Sequence, residues 1–208
     1  MIMKKILFAA LMLVASTTAF AQHAQGSFTL QPKVGMNIAN MTDMDNNDPR
    51  IGFVGGAELE YQATDIFSVS AGVLYSMQGC KLDKSATVWG YKLNGDVTYK
   101  TDYINIPILA NVYVAKGLAV KLGVQPGFNV NAKAKVSGSA AGLSGDKTVD
   151  LADNVKTFDF TIPVGLSYEY SNVVLDARYN WGLTKISDGD NSPKHSVFQI
   201  TLGYKFDL

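Results

Sequence analysis

The sequence predicts an all-β chain closed into an eight-stranded antiparallel up-and-down barrel that crosses a membrane. Three observations predict it. The chain ends on an unbroken alternation, with Phe198, Ile200, Leu202, Tyr204, Phe206 and Leu208 on one face and Gln199, Thr201, Gly203, Lys205 and Asp207 on the other, the period-two pattern of a two-faced strand. Seven further segments of the same kind precede it, and the connections between them alternate between short and long. A two-faced terminal strand exposes a pairing edge that soluble proteins blunt with charge or proline, so this one is expected to have a neighbour on both sides.

The N-terminus reads as a targeting segment. Lys4 and Lys5 precede an apolar run over residues 6–15 and a small-x-small site at Ala19, Phe20 and Ala21, the form of a secretory signal peptide. Residues 1–21 are therefore expected to be removed, leaving residues 22–208 as one barrel domain. The residue after the cleavage site is Gln22 and not a cysteine, so no lipid anchor is expected. No later run reaches the roughly 18 apolar residues of a spanning helix, so a membrane crossing falls to β-strands, whose backbone groups pair with one another in a closed barrel.

The first strand sets Phe28, Leu30, Pro32, Val34, Met36 and Ile38 against Thr29, Gln31, Lys33, Gly35 and Asn37. A second sets Ile51, Phe53, Gly55, Ala57, Leu59 and Tyr61 against Gly52, Gly56, Glu58, Glu60 and Gln62, with Val54 intruding on the polar side. The third runs from Phe67 to Gln78, and the fourth from Tyr103 to Val114, with Leu74, Pro107 and Leu109 as the intruders. In the fifth, Leu118, Val120, Leu122, Val124, Phe128 and Val130 oppose Lys121, Gly123, Gln125, Gly127, Asn129 and Asn131. The sixth runs from Phe158 to Tyr170 and the seventh from Val173 to Thr184. Such lengths reach the roughly nine residues that a tilted strand needs to cross hydrocarbon.

Short connections at residues 63–66, 115–117 and 171–172 alternate with long polar ones at 40–50, 81–97, about 132–155 and 185–195. Short turns on one rim and long loops on the other are the layout of an outer-membrane barrel, with the turns periplasmic. The third long connection, with its Gly, Ser and Ala over residues 134–147, reads as flexible surface.

The polar faces are rich in Gly, Ser, Asn and Gln, which suits a narrow interior. Ten charges fall on them: Lys33, Glu58, Glu60, Lys121, Asp159, Glu169, Asp176, Arg178, Lys205 and Asp207. A buried charge is costly unless paired, and eight strands enclose little more than their own side chains. The expectation is therefore a hydrogen-bonded ion network without an open channel. Tyr204, Phe206 and Leu208 read as the signal for membrane insertion, with Leu208 in the place of a terminal aromatic.

The stretch from Asp102 to Val114, followed by residues 117–127, resembles the PorT-like outer-membrane β-barrel family. Tyr103 to Pro107 matches its strand of Tyr, then Ile or Leu, any residue, Ile, Leu or Val, and Pro, and Gly123 to Gly127 its Gly-x-x-Pro-Gly-like strand. The resemblance implies an eight-stranded barrel in the outer membrane. One namesake of the family belongs to a protein-secretion system, and the resemblance carries no catalytic residues.

Positive and negative side chains balance, 18 against 18, so there is no basic footprint for nucleic acid. Cys80 is the single cysteine and is expected as a small apolar strand residue. Of the two histidines, His23 lies beside the cleavage site, while His195 and Ser196 are strand neighbours that point to opposite faces and cannot share a proton. Asp43 to Asp48 and Asp188 to Asn191 are oxygen-rich but lack the spacing of a calcium loop. No enzyme activity, cofactor or metal is expected. The expected partners are outer-membrane lipid, the outer-membrane assembly machinery, and an envelope protein or surface ligand met by the long loops. A narrow pore or secretion-system component and a soluble lipocalin-like binder are the competing functions.

Overall fold

A computed structural model describes residues 23–42, 47–88, 91–140, 143–150, 155–187 and 192–208. The regular elements are strands: β1 (Phe28–Met41), β2 (Asn47–Thr64), β3 (Phe67–Val88), β4 (Tyr91–Asn105), β5 (Ile108–Ala115), β6 (Leu118–Ala140), β7 (Leu143–Asp150), β8 (Phe158–Tyr170), β9 (Val173–Gly182), β10 (His195–Tyr204) and β11 (Phe206–Asp207). Each pairs antiparallel with its neighbours, and β1 closes the ring against β10 from Lys33 and Gly203 to Met41 and His195. Eight positions make the ring, because β4 with β5 and β10 with β11 each form one interrupted strand. The terminal strand is thus paired with both β9 and β1.

One strand break and one turn have local causes. Pro107 has no N–H and cannot extend a ladder, so β4 stops at Asn105. The gap is stitched by Ile106 donating to the Pro126 carbonyl at 2.8 Å and by Gly72 donating to the Pro107 carbonyl at 3.0 Å. In the β8–β9 hairpin, Ser171 and Asn172 both have positive φ, 49° and 67°. Two such residues twist the turn to match the flanking strands.

The faces are inverted relative to a soluble protein. Trp181 is 61% exposed and Leu202 55%, whereas Arg178 and Gln199 are each 1% exposed. Apolar side chains face out along every ring position and the polar set fills the interior, the arrangement lipid demands of a barrel. Val54, Leu74 and Leu109, the intruders on the polar faces, are buried inside with it.

The long connections differ from the expected loops. β3 continues to Val88 and pairs with β4 from Tyr91 onward, while β6 continues to Ala140 and pairs with β7. Two hairpins therefore project beyond the ring, joined through the β4–β6 ladder. Alternation persists through Ala132, Lys133, Ala134 and Lys135, with the alanines buried, and continued pairing satisfies backbone groups that an open loop would leave to water. Residues 1–21, read as a signal peptide, and most of the two acidic runs, residues 43–46 and 188–191, lie outside the described residues.

Candidate functional site

The interior is built in tiers. In the tier nearest the middle, Lys33 on β1, Glu58 on β2, Lys121 on β6, and Asp176 and Arg178 on β9 meet inside the ring. The Lys33 ammonium lies 2.7 Å from Glu58 and 3.8 Å from Asp176, and Lys121 lies 2.9 Å from Asp176. Arg178 donates to both Asp176 oxygens, at 2.6 and 2.9 Å, and to Glu58 at 2.9 Å. All five are at most 2% exposed. Glycines on neighbouring strands make the room. A Cβ at Gly72 would lie 2.5 Å from Glu58 Cγ, and one at Gly165 would lie 2.9 Å from Arg178 Cγ.

The second tier sits at the short-turn end. Lys205 lies 3.0 Å from Glu60 and 3.0 Å from Glu169. Glu60 also accepts from Ser68 at 2.6 Å and from the Tyr113 hydroxyl at 2.5 Å. His23, ahead of β1, closes the mouth with Nε2 2.9 Å from Glu169 and Nδ1 2.6 Å from Asp207. The Glu169 hydrogen bond raises the His23 pKa above its ordinary 6.5, while burial opposes the rise. The chain around it is fixed by Gly26 donating to the Gln62 carbonyl and by Gln62 donating to the Ser27 carbonyl.

Above the ions lies an uncharged tier. Asn37 donates to Ser76 at 2.9 Å, Gln78 to Ser76 at 3.1 Å and Gln125 to Thr161 at 3.1 Å. Nearer the long-loop end His195 meets the Tyr103 hydroxyl at 3.1 Å, and Asp159 accepts from Thr184. An apolar cluster of Met41, Cys80 and Ile186, with Tyr99 and Val155 against it, stands at that end.

The ten predicted interior charges thus separate by place. Eight of them, four cations (Lys33, Lys121, Arg178, Lys205) and four carboxylates (Glu58, Glu60, Glu169, Asp176), join in the two ion tiers. Asp159 is buried away from both, and the Asp207 side chain is 64% exposed at the rim. Ions withdrawn from water are tolerated where they are closely paired, and each of these eight has an opposite charge within 3.0 Å. Tyr204, Phe206 and Leu208 stand on the outer surface, with the Tyr204 and Phe206 rings 4.8 Å apart.

Sequence reasoning did not find His23, Tyr113 or Ser68 as members of the network. His23 precedes the first strand, where no alternation assigns a face. Tyr113 is an aromatic on a polar side, and that was its one signal. His195 and Ser196 face apart: the histidine points inward and Ser196 bonds the outward Tyr179 hydroxyl at 2.8 Å. Among the described residues no group of three or more His, Cys, Asp or Glu is placed to hold a metal ion.

Similar folds are known. Ail of Yersinia pestis is 14% identical, with 88% of this chain and 100% of Ail covered and a TM-score of 0.46. Neisserial surface protein A is 16% identical over 88% and 100% of the two chains, with a TM-score of 0.46. The N-terminal barrel domain of Pseudomonas aeruginosa OprF is 13% identical over 88% and 100%, with a TM-score of 0.33. No curated protein matches the chain. The family model described as outer membrane protein beta-barrel domain matches residues 20–188. With its lipid-facing apolar surface and polar interior, this chain belongs to the outer membrane protein beta-barrel domain family.

Proposed function

We propose that this outer-membrane protein is a non-conducting barrel that acts through its projecting end, presenting the β3–β4 and β6–β7 hairpins outside the cell to an envelope protein or surface ligand. The observation that carries this reading is the pair of ion tiers, in which four cations and four carboxylates neutralise one another inside the ring. Opening a path for solutes would strip partners from buried charges, at several kcal/mol for each. His195, inward and bonded to Tyr103, has no nucleophile beside it in its described contacts, which supports a non-catalytic role.

The orientation follows from the connections. Short turns face the periplasm and long ones the exterior, so both chain ends lie on the periplasmic side after removal of residues 1–21. The motif from Tyr103 to Pro107 supports a place in the PorT-like branch of the family.

Single-channel recording in planar bilayers tests the closure: reconstituted protein is expected to give no conductance steps. Regular steps that disappear in an Arg178 variant would establish a pore and overturn this reading. Protease added to intact cells tests orientation, with cuts expected near Gly90 and Gly142 and none at Lys116.

A further inference from the structure

The outer surface changes character at the upper edge of its apolar belt on β3, β4, β6 and β8. Val73, Phe128, Val130 and Phe158 are apolar and more than two-fifths exposed. Above them the ladders align polar residues in rows. Met77, Asp102 and Asn131 form the first row, Gly79, Lys100, Lys133 and Asp150 the second, and Lys81, Thr98, Lys135 and Thr148 the third. Thr101, Tyr103, Ala132 and Ala134 are buried toward the interior, so Asp102, Lys100, Lys133 and Lys135 point outward by alternation.

The charges in these rows are unequally satisfied. Asp102 accepts from the Tyr75 hydroxyl and from Asn131, each at 2.9 Å. Lys135 and Asp150 are engaged. Lys81, Lys100 and Lys133 have no hydrogen bond or ion pair among the described residues, although Asp48 stands opposite Lys81 in the β2–β3 ladder. Lys100 and Lys133 are direct cross-strand partners, a like-charge pairing that destabilises a sheet unless an anion stands between the two. Three unsatisfied ammonium groups at the top of an apolar belt have the polarity of a lipid turned head up.

We propose that Lys81, Lys100 and Lys133 bind the phosphate of a phosphorylated glycolipid in the outer leaflet. The Thr98 hydroxyl lies among them, and the acyl chains run down over Val130, Phe128 and Phe158. The site rests on the orientation given above, with the hairpin end at the outer leaflet.

Native mass spectrometry of the full-length protein in detergent, titrated with diphosphoryl lipid A, tests the site without depending on that orientation, which surface proteolysis reads separately. One surface lysine near anionic lipid is worth about a fivefold change in binding. The Lys81→Gln/Lys100→Gln/Lys133→Gln variant is therefore expected to lose at least about tenfold in apparent affinity. Lys100→Gln alone is expected to lose a few-fold, and Lys116→Gln, in a short turn, nothing. Zwitterionic phosphatidylethanolamine is expected to show no difference between variant and wild type. Equal lipid A binding by the triple variant overturns the proposal. So does displacement of lipid A by equimolar inorganic phosphate, which would mark a free-anion site.

Discussion

Arg178 on β9 donates to Glu58 on β2 at 2.9 Å, joining residues 120 positions apart in sequence through the inside of the barrel. The same guanidinium holds Asp176, so two carboxylates share one side chain. Arg178→Met is expected to cost about 3–5 kcal/mol, the usual loss when a buried pair is broken by removing one partner. Urea unfolding in lipid vesicles measures it. The double variant Glu58→Gln/Arg178→Met is expected to lose less than the sum of the single changes, with a coupling of about 1–3 kcal/mol. Strict additivity would rule out a shared network.

His23 makes the short-turn end sensitive to pH. Its pKa is raised in the folded barrel, chiefly by the Glu169 hydrogen bond, so folding favours the imidazolium. The stabilisation is fully present below 6.5, the ordinary histidine value, and is lost as pH rises through the higher folded value. Wild-type protein is thus expected to unfold at lower urea in mildly alkaline buffer than in acid, while His23→Ala is less stable in acid and shows a flatter profile. A variant that keeps the full wild-type slope would exclude His23 as its source.

The last three residues hold the seam at the short-turn end. Phe206 and Asp207 pair with Leu30 and Thr29, and the Leu208 amide donates to the Phe28 carbonyl at 3.0 Å. Deleting residues 206–208 removes these bonds together with Phe206 and Leu208 of the proposed insertion signal. The truncated chain is expected to yield mostly the unfolded band when run unheated on a denaturing gel. A folded band as strong as that of the full chain would show that the terminus is dispensable for assembly.

Cys80 provides a probe of the long-loop end. It is fully buried against Met41 and Ile186, and a buried apolar thiol is inert. A maleimide reagent is expected to label it at least about tenfold more slowly in the folded barrel than in urea. Ile186→Ala, which opens the cluster, should narrow that difference. Rapid labelling of the native wild type would mean that the end is not covered.

Strand alternation made the ring legible, because each face of a barrel strand answers to a single solvent and the period-two pattern records it directly. Leu74 and Leu109 interrupted the pattern without changing the parity of their strands, so they cost nothing. A bulge does change parity. The β4–β6 ladder pairs Asp102 with Asn131 and Tyr103 with Asn129, leaving Val130 extra. Asn131, assigned from sequence to the inner face, therefore turns out to Asp102 on the lipid side. The hairpins beyond the membrane were read as loops because glycine, serine and alanine over residues 134–147 carry weak strand propensity, and long-range pairing with β4 and β7 outweighs it. The role of His23 was hidden for a similar reason: its partners, Glu169 and Asp207, are 146 and 184 positions away.

The placement of the two ion tiers bears on how the barrel enters its membrane. Lys121 and Asp176 stand fourth from the short-turn ends of β6 and β9, Lys33 is sixth along β1, and Lys205 lies beyond the end of β10. In the proposed orientation, a chain entering from the periplasm would send its long-loop half across the hydrocarbon first, and the inner face of that half is largely amide, hydroxyl and apolar. The four interior cations trail behind, near the water they come from. In that orientation they would exchange that water for carboxylate partners as the strands draw together, so the costliest desolvation would come late, when the ring that compensates it is nearly shut.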